Sequence, residues 1–251
     1  MLTGKSVVVT GASSGMGQAI VELFAEQGAS IVAVARRKNR LDELVTSLEG
    51  APGTVVAYEG DVSDPQTTEG MVDFAIANFG KLDILVNNAG VMDDMAPVGE
   101  ATDEKYAEVF SVNVYGPFAA MRKAVQTFIA QGNGGIIINV TSIGADHQAS
   151  GIVYGASKAA INAMTRNTAY MYQAEGIRCN AIAPGAIATE IALSIGIPNM
   201  TGFEKIQPVT ALSREPGEAT DIAKAALFLA SDQSSYISGA IIPVDGGWTS
   251  F

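Results

Sequence analysis

The chain has 251 residues, 48% of them apolar and 16% charged, with a formal net charge of -11. That is enough apolar material for one large core, and the acidic balance excludes a general nucleic-acid binder, which needs basic surface to neutralise phosphates. A lone cysteine, Cys179, excludes an intrachain disulfide, and no cluster of Cys and His has metal-ligand spacing, so no metal is expected.

Met1 to Lys5 leads straight into a strand-like segment, without the charged, apolar and cleavage regions of a signal peptide. The longest apolar region, Ala181 to Pro198, is broken by Pro184, Gly185, Glu190 and Gly196 and does not read as a membrane span. The expectation is a soluble cytoplasmic protein with no membrane partner.

Short apolar runs alternate with longer helix-like stretches. The runs are Ser6 to Thr10, Ile31 to Ala35, Val55 to Glu59, Ile84 to Asn87, Gly135 to Val140, Arg178 to Ile182 and Ile241 to Val244. Continuous apolar strands separated by helices predict an α/β fold: a doubly wound, seven-stranded parallel sheet with helices on both faces. With no linker, low-complexity tract or repeat period, residues 1 to 251 read as a single domain. Ala186 to Ala211 departs from the alternation, mixing Ile191, Leu193, Ile195, Ile197, Met200 and Phe203 with Gly and Pro in neither period. It reads as a flexible apolar lid over a site.

The first strand runs into Thr10-Gly11-Ala12-Ser13-Ser14-Gly15-Met16-Gly17, and a helix-like stretch follows to Gln27. Strand, glycine turn and helix make a phosphate cradle. The glycines permit close backbone approach, while the free N-H groups and the positive end of the helix attract a pyrophosphate. The second strand ends in Ala35-Arg36-Arg37-Lys38-Asn39-Arg40, where a dinucleotide fold places an acid for the ribose of NAD or an Arg for the 2′-phosphate of NADP. Four basic side chains and no acid predict NADP(H) in preference to NAD(H), with Arg36 and Arg37 at the phosphate. The bland reading is a helix start solvated or paired with Asp42 and Glu43.

Asp61 and Val62 follow the third strand, at the strand ends where such a sheet collects its ligand, and the Asp61 carboxylate suits an adenine amino group. Asn87 reads as a tie between strands, with Asn88, Ala89 and Gly90 beside the cofactor. Tyr154 and Lys158 are four residues apart, on one face of a helix if that stretch is helical. An ammonium beside a phenol favours the phenolate and lowers its pKa toward the range of a general base. An i,i+4 Tyr and Lys pair is common by chance, so its meaning rests on the rest of the chain.

Taken in order, Thr10-Gly11-x-x-x-Gly15-x-Gly17, Asn87-Asn88-Ala89-Gly90, Asn113, Ser142, Tyr154-x-x-x-Lys158 and Pro184-Gly185 resemble the short-chain dehydrogenase/reductase family. The resemblance covers essentially the whole chain. It implies a Rossmann-type fold, a homotetramer, and hydride transfer between a nicotinamide and a carbonyl or alcohol carbon. It further implies that Tyr154 is the general acid and base, and that Lys158 lowers its pKa and holds the nicotinamide ribose. Ser142 would hydrogen-bond the substrate oxygen, and Asn113, mid-helix, would bind a water relaying protons from Lys158. Pro184, Gly185, Ile187 and Thr189 match the nicotinamide-binding turn.

Ser142 precedes Tyr154 by 12 residues, one fewer than is commonest in the family, so the loop of Ala145 to Val153 is expected to be reshaped. Thr141 has the usual separation, but strand alternation sends it to the opposite face. His147, in that loop, is read as solvated or structurally satisfied, with a substrate contact as the alternative. Cys179 is read as a small core residue, and Trp248 and Phe251 as interface anchors. The apolar lid favours an apolar ketone or secondary alcohol, such as a hydroxysteroid or cyclic ketone. A 3-oxoacyl-(acyl-carrier-protein) reductase is the alternative, and a non-catalytic nicotinamide sensor a remote one.

Overall fold

The computed structural model describes residues 1–213 and 215–250. Seven parallel strands form one sheet: β1 (Ser6–Thr10), β2 (Ser30–Ala35), β3 (Thr54–Glu59), β4 (Ile84–Asn87), β5 (Gly135–Val140), β6 (Ile177–Pro184) and β7 (Ile241–Val244), in the order β3-β2-β1-β4-β5-β6-β7. The sheet is that of a Rossmann-type doubly wound fold. Its direction of growth reverses between β1 and β4, so the C-terminal ends of the strands open a crevice there.

The uninterrupted apolar strands are divided residue by residue between two cores. Val7 and Val9 pack on one side, with Ile20, Val21 and Phe24 of α1 (Gly15–Glu26), Leu41 and Leu44 of α2 (Lys38–Ser47), and Ile222 and Leu229 of α8 (Ala219–Ala230). Val8 packs on the other, with Met71 and Val72 of α3 (Pro65–Phe79) and Met121 and Phe128 of α5 (Gly116–Gln131). Both faces are covered, which is why neither shows the polar alternation of a solvated sheet. Cys179 is fully buried in the second core.

Local chemistry sets the helix ends. The Asp64 carboxylate accepts the Gln66 N-H, Pro65 opens α3, and Gly80 closes it with φ of 79°. Helix α4 (Asp103–Phe110) continues into α5 through a π-helical turn, Ser111–Tyr115, which carries Asn113. Helical wide turns of this kind recur at functional sites. Strand β6 runs on to Pro184, at its very end, where the ring costs no interior ladder bond.

The segment 186–211 is more regular than its sequence suggests. A 3-10 turn, Glu190–Ile195, is followed by α7 (Met200–Thr210), which contains Pro208. Hydrogen bonds tie the segment down: Met92 N-H to Ser194 Oγ at 2.9 Å, Asn199 N-H to the Asp94 carbonyl at 2.7 Å, and Trp248 Nε1-H to the Val209 carbonyl at 3.1 Å. Trp248 is therefore buried inside the chain against α7, not presented as an interface anchor. Phe251 lies outside the described residues. No helix among the described residues is long and apolar enough to cross a membrane.

Candidate active site

Helix α6 (Ile152–Met171) carries Tyr154 and Lys158 one turn apart, and both are buried. The Lys158 ammonium donates to the Val140 carbonyl at 3.0 Å and lies 5.6 Å from the centroid of the Tyr154 ring. Burial pushes the lysine down to about 8. The phenol is pushed up to about 12 by burial; the Ser142 hydroxyl draws it down and the Asp93 carboxylate adds to the rise. The sequence expectation of a phenol lowered by Lys158 is thus reversed in the protein alone. Desolvation of the phenolate dominates, while the Lys158 ammonium is committed to the Val140 carbonyl.

Ser142 follows β5 and starts a short 3-10 turn, accepting the Gly144 N-H at 3.0 Å. Its hydroxyl faces the Tyr154 phenol. Thr141 faces away, its hydroxyl donating to the Ile182 carbonyl at 3.1 Å. Asn113 is buried with its amide fully engaged. It accepts the Val91 N-H at 2.9 Å and donates to the Val91 carbonyl at 2.8 Å and to Ser157 Oγ at 3.1 Å, which donates in turn to the Tyr154 carbonyl. The Asn113 side chain therefore clamps the loop after β4 to α6. His147 is exposed.

The neighbouring crevice is a cleft of about 360 Å³ at the strand ends. Its walls include Gly11, Ser13, Ser14, Gly15 and Met16 after β1, Arg36 and Arg37 after β2, Asp61 and Val62 after β3, Asn88, Ala89 and Gly90 after β4, and Thr189 from the segment over it. Gly17 stands behind this wall, where a Cβ would run into the Gly11 carbonyl. Asn87 donates to Asn139 Oδ1 at 2.9 Å, tying β4 to β5. Pro184, Gly185 and Ile187 form the turn below Thr189. The Gly185 N-H donates to the Val244 carbonyl at 3.0 Å, and Ile187 pairs with Gly217.

The cleft fits an anionic, polar dinucleotide. Helix α1 begins at Ser14 with no side-chain cap and no acid in its first turn, leaving its N-H groups free for phosphate. Among the described residues, Asn88 Oδ1 and Thr189 Oγ1 are buried without a hydrogen-bond partner. Orphaned polar atoms cost about 1–3 kcal/mol each, and a bound amide or ribose would satisfy them.

The basic cluster is largely exposed and ion-paired, and Lys38 pairs with Asp42 at 2.7 Å as the bland reading of the sequence has it. Arg37 donates to Ser13 Oγ at 3.0 Å and Ser14 Oγ at 2.7 Å, and both Arg37 and Arg40 pair with Glu190, at 3.2 and 2.7 Å. Arg40 first and then Arg37 hold the Glu190 carboxyl below its ordinary value. Arg36 lies 3.6 Å from Asp61. Burial pushes the Asp61 carboxyl up, but hydrogen bonds from Ser63 and the Arg36 cation together hold it below the usual range. Glu190 and Asp93 are charged site residues that sequence reasoning missed. Glu190 registers there only as a break in an apolar run, and no local pattern marks Asp93.

A family model described as enoyl-(acyl carrier protein) reductase matches residues 11–249. The chain is 39% identical over 252 residues to 3beta-hydroxysteroid dehydrogenase 2 of Eggerthella lenta, covering 100% of this chain and 97% of that protein. It is 39% identical over 251 residues to a 3-oxoacyl-[acyl-carrier-protein] reductase of Thermotoga maritima, covering 98% of each. Among solved structures it is similar to levodione reductase, with a TM-score of 0.89 at 33% identity, covering 100% of this chain and 99% of the other. The chain belongs to the short-chain dehydrogenase/reductase family. It is accordingly an oxidoreductase of CH-OH groups that interconverts secondary alcohols and ketones with a nicotinamide dinucleotide.

Proposed function

We propose that the protein is an NADP(H)-dependent oxidoreductase of an apolar cyclic ketone or its secondary alcohol, of hydroxysteroid or cyclohexanone type. The observation that carries the reading is the buried Tyr154 and Lys158 pair beside a cleft lined by Arg36 and Arg37, with Arg40 paired to Glu190 of its wall. When bound, the dinucleotide supplies or accepts the hydride. Gly11, Ser13, Ser14, Gly15, Met16 and Gly17 would cradle its pyrophosphate. Arg36 and Arg37 would hold the 2′-phosphate, Asp61 and Val62 the adenine, and Asn88, Ala89, Gly90, Tyr154 and Lys158 the nicotinamide ribose. Pro184, Gly185, Ile187 and Thr189 would hold the carboxamide.

In reduction, Ser142 binds the ketone oxygen and Tyr154 gives it a proton, leaving the phenolate; in oxidation the Tyr154 phenolate takes the proton back from the alcohol. Lys158 stabilises the phenolate left behind, and Asn113 keeps the loop after β4 against α6. The segment 186–211 serves as a substrate lid of a single catalytic domain. Its exposed Leu193, Ile197 and Met200 support an apolar substrate. The exposed Phe118 and Ile129 of α5, which line one groove with Met164 of α6, support assembly as a homotetramer, since apolar surface of this kind marks an interface. The reading includes a cytoplasmic location. The test is NADPH consumption with cyclic ketones; turnover with NADH but not NADPH would refute the cofactor assignment.

The similarity to the Thermotoga carrier-protein reductase favours a second reading, reduction of a 3-oxoacyl carrier substrate. An acidic carrier needs basic surface to dock, whereas α6 after Lys158 offers Arg166 alone and the chain is acidic. Turnover of a carrier-bound 3-oxo ester well above that of small ketones would reverse the order.

A further inference from the structure

The loop between β4 and α4 brings a carboxylate to the start of the helix that bears Tyr154. Asp93 is 1% exposed, and among the described residues no cation is ion-paired with it. Its oxygens are spent on backbone donors: Oδ1 accepts the Met95 N-H at 3.1 Å, and Oδ2 accepts the Tyr154 N-H at 2.8 Å. Tyr154 is the third residue of α6, where the free N-H is ordinarily satisfied by the side chain of the N-cap. The N-cap here is Gly151, which has no side chain to offer. A Cβ at position 151 would fall onto both carboxylate oxygens, so the glycine also makes the room that Asp93 fills. The adjacent Ile152 N-H donates to the Ala96 carbonyl at 3.1 Å, which anchors the same turn to the same loop. A negative charge at a helix N-terminus is favourable, which helps an unpaired buried carboxylate persist.

We propose that Asp93 is a positioning residue: by capping α6 from a different part of the chain, it fixes the backbone from which the Tyr154 phenol meets the substrate oxygen. The proposal rests on Tyr154 as the proton donor and acceptor. It has an electrostatic corollary, because a carboxylate this close opposes ionisation of the phenol. The groups facing Tyr154 are Lys158 on its own helix, Asp93 from the loop after β4, and the neutral Ser142 hydroxyl after β5. Asp146, further along that loop, is engaged by Asn162 of α6 at 3.2 Å.

The test uses Asp93→Asn, Asp93→Ala and the double variant Asp93→Ala/Gly151→Ser. Asparagine turns an amide N-H toward one of the two backbone donors and removes the charge. It is expected to lower kcat by about 10–100-fold, the cost of a misplaced reacting group, with KM for NADPH within about twofold of the parent. The pH limb of kcat for either direction moves to lower pH. In the double variant the Gly151→Ser change supplies a local hydroxyl for the Tyr154 N-H, so most of the kcat lost in Asp93→Ala returns while the pH limb stays displaced.

Parent kcat and parent pH profile in Asp93→Asn overturn the proposal. So does a folded double variant whose kcat is no better than that of Asp93→Ala. If Asp93→Ala does not fold, the double variant is compared with the parent, and a folded but inactive protein overturns the proposal. If none of the three folds, the carboxylate serves the fold alone and the proposal is likewise overturned. Tyr154→Phe, assayed alongside, separates the two readings: near-parent turnover there refutes the role of Tyr154. Loss of turnover there with silent Asp93 variants refutes only the positioning role.

Discussion

Lys158 reaches the Val140 carbonyl at 3.0 Å while its ammonium stays 5.6 Å from the Tyr154 ring centroid, so the two groups share one buried compartment. Burial acts on them in opposite senses, taking the phenol to about 12 and the ammonium to about 8. Both therefore hold their protons near neutral pH. The resting protein is poised to donate a proton to a ketone oxygen.

Tyr154→Phe removes that proton and leaves the ring. Turnover with a cyclic ketone should fall by about 10²–10⁴, the usual worth of a positioned acid or base. NADPH affinity by fluorescence titration should stay within a few-fold. A variant turning over at near-parent rate would refute the proton-transfer role.

The lysine has a thermodynamic signature. Its pKa is depressed from 10.5 to about 8 on folding, so below about 8 the folded state carries the full cost of burying the charge. Between about 8 and 10.5 the folded protein sheds a proton that the unfolded chain keeps, and stability should rise with pH. From 10.0 to about 12 the raised phenol works the other way, because the unfolded chain ionises first and stability falls. Urea unfolding of the cofactor-free protein at pH 7 and near pH 9.5 measures the rise. Lys158→Met should abolish it and add about 1–2 kcal/mol at pH 7 after loss of the Val140 hydrogen bond, while turnover is lost. A lysine that stabilises the protein at pH 7 would contradict this.

The guanidinium of Arg37, held by Ser13 and Ser14, is shared with Glu190. A 2′-phosphate would compete with that carboxylate. Arg37→Ala should weaken NADPH binding by about 10–100-fold, and NADH binding much less. Arg36→Ala should act in the same sense. Glu190→Gln should tighten NADPH by a few-fold, as expected of an exposed ion pair. Equal losses for both cofactors in the arginine variants would rule out the 2′-phosphate assignment. The check is calorimetry with the two reduced dinucleotides.

The strands were legible because the apolar runs of the central strands β1, β2, β4, β5 and β6 are buried on both faces, a pattern that no solvated sheet produces. Val7, Val8 and Val9 alternate between two cores, and the sequence carries no polar trace of the alternation. The glycine turn was legible because a Cβ at Gly17 would run into the Gly11 carbonyl, so the close approach requires glycine. What stayed hidden was set by long-range contacts. Asp93 caps a helix 61 residues further on, and Glu190 reaches Arg40 across 150. The order within 186–211 was masked by Pro208 and by ties from Asn199 and Trp248 that no local period records. The direction of the Tyr154 shift was misjudged because helix spacing reveals the neighbouring ammonium but not the depth of burial.

The most direct measurement is the loss of reduced-nicotinamide absorbance when NADPH, with NADH in parallel, meets the purified protein and a panel of steroid ketones, cyclic diketones and 3-oxo esters. The account predicts consumption of NADPH with a cyclic or steroid ketone, abolished by Tyr154→Phe. Consumption confined to the 3-oxo esters, or NADPH binding with no ketone reduced, would contradict it.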